Sequence, residues 1–530
     1  MEDYLVGIDF GACNLKAAAF DGKKIRVLQL NSDASGIKYS PNFIYYNKKK
    51  DGGIENIIGQ VALNRAKTNT SANERNFVAN VKRKLEIQNW SQKITNLDRE
   101  VDTQEVISDI FGCIKKYFKA KKDQQIKAIL TVPVCFSKIQ RDLIKNAAEN
   151  AGINVDSMIS EPFAALFSLK NLTNYKDKPI VIFDFGGSTL DVSVIKIECP
   201  ADGEMKITEL AAAGIRLGGL DIDRDIYEKI LLRNFQDIFD NSMQSTINRE
   251  EYFLDFAREM KESLFKSGDE KVEADGLAGY IPQGLENVVL KRSDVDKLLT
   301  ESDYKEKIFD MFEALFEDLA DADEPYYVED ISKVLPFGGT CKIPFFAKLL
   351  EEYFGENIFN KDDLNLDDYE ILIKGLDDRY LAVAGGAVEY LNNKVNGSKI
   401  ETVNVIPFCI GYEQNGKFIR GIARNMPFGF ETRSILLPLK ELEKSGWTLS
   451  IYQCFNNQRE MKLDEENSSA VFIGKVKLDE SLYEKKESPV FIMRIMRDGR
   501  LRIQFKDNQT FEDGSKELNV TEEHFLEIGG

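Results

Sequence analysis

Apolar residues along the first three quarters of the chain come in short buried-strand runs. "VGIDF" (6–10), "LKAAAF" (15–20), "AILTVP" (128–133), "IVIFDF" (180–185) and "LDVSVIKI" (190–197) read as strands. Between them the spacing turns helical. "IQRDLIKNAAENAG" places Ile139, Leu143, Ile144, Ala147, Ala148 and Ala151 on one face, and Gly152 ends the helix. A glycine turn, "FGGTCKIPF" (337–345), opens another helix. Strands alternating with helices imply an α/β architecture up to about residue 395.

The pattern changes at the polar stretch "NNKVNGSK" (392–399), and a linker is expected over 396–403. "QNGKFIRG" and "MRDGRLRIQF" carry Asn-Gly and Asp-Gly, strong hairpin signals. Leu501, Ile503 and Phe505 alternate with Arg500, Arg502 and Gln504, the period of a half-buried antiparallel strand. Residues 404–530 therefore read as a separate β-domain, and no long helical pattern follows it in this sequence.

Charge and composition narrow the function. Acidic residues outnumber basic ones, 88 to 70, which argues against a general nucleic-acid binder needing a basic face. The seven cysteines are scattered without a CxxC, as free thiols in a reducing compartment are. A single histidine, His524, argues against a histidine-based triad or zinc site. The acidic start and the lack of a long apolar run imply no signal peptide and no membrane span, hence a cytoplasmic protein.

The chemistry lies in a repeated phrase. "VGIDFGACNLKAAAF" and "VIFDFGGSTLDVSVI" each put Asp-Phe-Gly at a turn between two strands, at Asp9 and Asp184. Glycine turns expose backbone N–H groups and let phosphate oxygens approach closely. Carboxylates at strand ends reach phosphate only through a cation, and suit Mg²⁺. Asp9 and Asp184, with Asp191 nearby, thus read as a magnesium-nucleotide clamp. A lone Asp-Phe-Gly-Gly is more often only a strand-ending turn; its repetition in both half-chains favours function.

These motifs, in this order, resemble the 70-kilodalton heat-shock chaperones, on the actin-type nucleotide-binding fold. "GIDFGACN" is similar to the first phosphate loop, "FDFGGSTLDVSV" to the second and "FGGTCKIP" to the adenosine loop. "GQVA" (59–62), the segment ending in "SEPFAAL", "RLGGLDID" (216–223), "AVAGGAVEYL" and "NVIPFCIGYE" (404–413) match further family segments. The resemblance implies an actin-like nucleotide domain (1–395) followed by a β-sandwich that binds unfolded or extended apolar peptide, with ATP or ADP and Mg as cofactors. It assigns Asp9, Asp184 and Asp191 to the metal and its waters, and Glu161 with them to catalysis. Gly11, Ala12, Cys13, Asn14, Gly186, Gly187, Ser188, Thr189, Gly218 and Gly219 fall on the nucleotide loops. Gly338 and Gly339 back the nucleoside, and Lys261 and Lys342 flank it. Pro133 and Arg141 match a pair that relays nucleotide state to the β-domain.

Departures from the family set further expectations. The lysine expected after "GQVA" falls on Leu63, so ATP hydrolysis should be slow unless Lys67, a helical turn on, supplies the charge. Ala12 and Cys13 replace two threonines. Around the base, the family's glutamate, arginine and serine fall on Arg258, Glu262 and Phe265, which weakens adenine selectivity. Ser157 stands where J-domain co-chaperones use an arginine, and Phe163 replaces a nearby threonine. Glu401 and Thr402 make the linker "IETV" polar and should weaken its docking. No helical pattern like the family's lid follows the β-domain in this sequence, either because the lid is absent or because the sequence stops short of it. The leading expectation is an ATP-binding chaperone. The alternatives are a nucleotide-sensing scaffold and a small-molecule kinase on the same fold, the latter disfavoured by the β-domain.

Overall fold

The computed structural model describes residues 3–30, 39–68, 74–87, 89–120, 124–176, 178–200, 204–241, 249–277, 281, 284–359, 381–397, 400–463, 469–482, 488–496, 500–510 and 516–528. Two mixed sheets organise the first part. In the first, the strand Tyr4–Phe10 lies between Ile126–Val132, which it pairs in parallel, and Asn14–Phe20, which it pairs antiparallel. In the second, Ile180–Phe185 lies in the same way between Lys333–Phe337 and Leu190–Glu198. Both central strands are buried along their whole length, which their continuous apolar sequence requires.

The sheets meet through two helices, Glu161–Leu166 and Ala382–Val395, in a shared core of Leu5, Ala18, Ile129, Ile182, Leu335, Ala387 and Val388. The helices cross at van der Waals distance. A Cβ on Gly386 would stand 1.8 Å from the Ala164 carbonyl oxygen, so only glycine fits at the crossing.

The helix foreseen after Pro133 spans Lys138–Asn150. Ser137 and Gln140 form a capping box, and Gly152 with φ 74° ends it. Its buried face differs from the expected one. Ile139 is 50% exposed, while Gln140 and Arg141 turn inward with Ile144, Ala147 and Ala148. Gln140 turns in to close the cap, and Arg141 to reach the carbonyls of Phe136 and Val134.

The last part is a two-sheet sandwich. One sheet runs Glu460–Lys462, Lys417–Ile422, Cys409–Gln414, Thr448–Cys454, Ala470–Lys477; the other runs Ile435–Leu436, Val490–Ile495, Arg500–Thr510, Lys516–Glu527. Both contribute to one core, in which Ile410, Ile451, Phe491, Leu501, Ile503 and Phe505 are fully buried. Asn415 and Gly416 both have positive φ, as a two-residue hairpin turn needs. Asp498 and Gly499 lie outside the described residues, although Ile495 and Leu501 on either side are paired.

The segment read as a polar linker is in part a strand. Ile400–Val403 adds in parallel to the edge of Met205–Ile215, extending the second sheet. The polarity of Glu401 does not oppose this. Strand addition uses main-chain groups, and the Glu401 side chain points to solvent. The β-domain then packs against the first part. Val405 joins Val134 and Ala212 in an apolar cluster, and Asp318 accepts hydrogen bonds from Arg424, Asn425 (2.8 Å) and Asn457 (2.8 Å).

Candidate functional site

A cavity of about 430 Å³ opens where the two Asp-Phe-Gly turns face each other. The first turn contributes Asp9, Gly11, Ala12, Cys13 and Asn14, and the second contributes Asp184, Gly186, Gly187, Ser188 and Thr189. Glu161, Gly219, Lys261, Gly338, Gly339 and Lys342 complete most of the wall. Main-chain bonds fix the second turn: the Gly186 amide donates to the Thr189 carbonyl at 3.0 Å, and the Gly219 amide to the Gly186 carbonyl at 3.1 Å. Thr340 Oγ1 donates to the same Gly186 carbonyl at 2.8 Å, binding the third turn to it. Gly338 has φ 81°, and a Cβ there would stand 2.2 Å from the Phe185 oxygen, so this turn admits no side chain.

Two expected residues lie behind the wall. Gly218 backs onto Gly187, and its amide is held by Asp221 at 2.8 Å. Asp191 is fully buried, paired in register with Asp184, and accepts the Val134 amide on Oδ1 at 2.7 Å, while its Oδ2 has no hydrogen-bond partner. Of the three carboxylates expected to serve a metal, Asp9 and Asp184 line the cavity, and Asp184 alone faces it unpaired. Asp9 faces it too, but is bound to Lys16 Nζ at 2.6 Å.

Sequence reasoning missed two lysines in this cavity. Lys16 is one, and the other is Lys82, on the short helix Val81–Lys84, whose Nζ lies 2.6 Å from Glu161 Oε1. Their signals were faint. Lys16 is the one charge inside the apolar strand Asn14–Phe20, and Lys82 hides in "VKRK", which resembles a solvated basic face. Lys82 also changes the meaning of Leu63. Leu63 is packed with Phe43, Tyr45, Phe77 and Tyr252 and does not line the cavity. Lys67 is equally remote, held across the cleft by Asp255 at 2.6 Å and Glu259 at 3.0 Å. The cleft does carry a buried lysine, from a different helix.

Electrostatics concentrate at the cavity floor. Burial raises the Asp184 carboxyl well above the usual range, and Glu161, Asp191 and Asp9 add to the shift. Burial, then Glu161, pushes Asp191 up to about 7. Such mutual repulsion favours a bound cation or proton. Among the described residues, no three acidic, histidine or cysteine side chains converge to hold a metal unaided. Magnesium asks less, taking one or two carboxylates together with waters and substrate phosphates. The hard oxygens of Asp184, under that repulsion, fit an ion that arrives with a nucleotide.

The other end of the cavity is lined by Arg258, Glu262, Phe265 and Lys266. The Arg292 guanidinium stacks 4.2 Å from the Phe265 ring centroid, and Lys261 pairs with Asp223 at 2.7 Å. Pro133 and Arg141 do not line the cavity. Arg141 is buried and donates to the carbonyls of Phe136 (3.1 Å) and Val134 (3.4 Å). That loop holds Asp191 through Val134 and touches the β-domain through Val405 and through the Lys138 amide, which donates to Gln453 at 2.8 Å. Ser157 bonds Asp156 at 3.0 Å, and Phe163 is buried against Phe167 and Tyr390.

Two mixed sheets around a cleft with paired phosphate-type turns, followed by a sandwich, define the architecture of an actin-like ATPase joined to a β-domain. The Hsp70 protein family matches residues 5–479, and the chain belongs to that family. It is 26% identical over 482 residues to the chaperone protein DnaK of Mycoplasma mobile, covering 89% of this chain and 72% of that protein. It is 24% identical over 527 residues to DnaK of Mycoplasmoides gallisepticum, covering 98% and 81%. A further DnaK, from Ureaplasma urealyticum, is 28% identical over 362 residues, covering 67% and 55%. These relatives support a chaperone function. No helix among the described residues is long and apolar enough to cross a membrane.

Proposed function

We propose that the chain is an ATP-binding chaperone, in which a magnesium nucleotide in the cleft governs how the β-sandwich (404–530) holds an extended apolar peptide. The observation that carries this reading is the cavity itself: two Asp-Phe-Gly turns, Glu161 and a buried lysine around one space. The amides of the turns would hold phosphate oxygens, and Gly338 and Gly339 the nucleoside. Magnesium, when bound at Asp184, would neutralise phosphate charge. Glu161 would hold and orient water, and Lys82 would place positive charge where negative charge develops. The reason to expect slow hydrolysis was Leu63; with Lys82 in the cleft, ordinary ATPase turnover is the better reading.

Coupling would run through the loop Pro133–Ser137, which contacts both Asp191 and the β-domain, and through the docked strand Ile400–Val403. The test uses the full chain and a fluorescent leucine-rich peptide, whose dissociation is followed with and without Mg-ATP. Faster release with ATP is expected. Unchanged release while nucleotide is bound would favour a nucleotide-sensing scaffold instead.

A further inference from the structure

Lys16 has no part in the reading above, yet it sits in the middle of the site. It is directly opposite Asp9 in the antiparallel register of the first two strands, and its Nζ is 2.6 Å from Asp9 Oδ2. Both side chains are largely buried, at 15% and 4% exposure, and both line the cavity with the second phosphate-type turn. Burial opposes the charge on Lys16, but Asp9, helped by Asp184 and Glu161, more than offsets it. The ammonium is thus a fixed cation at the bottom of the cleft. It has three donors, and Asp9 takes one of them.

The charge balance gives this lysine its meaning. Lys82 neutralises Glu161 and Lys16 neutralises Asp9, which leaves Asp184 for an incoming cation. Asp9 is thereby withdrawn from the metal's coordination, and a positive charge built into the chain stands where a divalent ion would otherwise be the main counter-charge to phosphate. Lysine serves phosphate as a compact point charge and needs no bidentate geometry.

We propose that Lys16 is a resident counter-cation of the phosphate site, which lets this chain bind a nucleoside diphosphate with little dependence on divalent metal. The inference rests on the nucleotide reading of the cleft and deepens it. Calorimetric titration of the full chain with ADP, in saturating magnesium and in EDTA, tests it. For the native chain, affinity should fall by no more than about tenfold on removing magnesium, and for Lys16→Gln by about a hundredfold or more. The difference is the ten- to hundredfold that a hydrogen bond to a charged group contributes. Lys16→Arg should behave like the native chain. A native loss in EDTA as large as that expected of Lys16→Gln overturns the inference even if that variant does not fold. A folded Lys16→Gln, checked by its thermal melt, with native magnesium dependence also overturns it. Absence of ADP binding by the native chain in either condition overturns the nucleotide reading itself.

Discussion

Replacing Lys82 by methionine separates its role from that of Leu63. The side chain is 2% exposed, and its one hydrogen-bonded carboxylate is Glu161 at 2.6 Å. Methionine keeps most of the volume and removes the charge and its donors. If Lys82 stabilises charge that develops during hydrolysis, its loss costs ~10²–10³ in rate, about 3–4 kcal/mol of transition-state stabilisation. Nucleotide binding should suffer less, by about 1.5–3 kcal/mol, because turn amides remain. Breaking a buried ion pair also costs stability, about 3–5 kcal/mol when the remaining charge cannot adapt. Here it can adapt in part, since burial already raises the Glu161 carboxyl toward its neutral form. The double variant Lys82→Met with Glu161→Gln should therefore melt nearer the native temperature yet stay inactive. Single-turnover hydrolysis of pre-bound ATP, with thermal melts alongside, reads both quantities. Native turnover in Lys82→Met, or a rise in turnover on Leu63→Lys, would refute the assignment.

Two other expectations follow from the interface and from burial. Asp318→Ala removes the acceptor shared by Arg424, Asn425 and Asn457, each such bond being worth about 1.5–3 kcal/mol. Proteolysis between residues 396 and 404 should accelerate by about tenfold or more, since every 1.4 kcal/mol is tenfold in an equilibrium; an unchanged rate would mean this contact does not hold the β-domain. Glu209 is buried, accepts from Ser193 at 2.7 Å and from the Val405 amide at 3.4 Å, and burial pushes it up to about 7 from 4.5. The native state thus holds a proton that the unfolded chain has released between those values, so stability falls as pH rises across that window, by ~3 kcal/mol for this group. Glu209→Gln should lose that share of the slope in denaturant titrations from pH 4.5 to 7; an unchanged slope would clear Glu209 of the effect.

The sequence carried the sheets and the paired turns plainly, because apolar runs with glycine at their ends have few other uses. It carried the lysines poorly. Lys82 belongs to a cluster of basic residues whose half-buried neighbour Arg83 turns elsewhere, pairing with Asp221, and only the tertiary fold shows which one enters the cavity. Lys16 became meaningful once the register set it opposite Asp9. Apolar periodicity places Ile139 inward, whereas the capping box and the carbonyls of Val134 and Phe136 decide the rotation of that helix. The linker strand escaped notice for a similar reason: its pairing uses main-chain groups, which leave little trace in side-chain polarity.

The central claim is that the cleft between the two Asp-Phe-Gly turns binds a magnesium nucleotide. Calorimetric titration of Mg-ATP into the native chain, and into the double variant Asp9→Ala with Asp184→Ala, addresses it directly. One-to-one binding by the native chain, and weaker binding by the folded double variant that magnesium no longer improves, is expected. Equal binding by both, or no heat with the native chain, would contradict it.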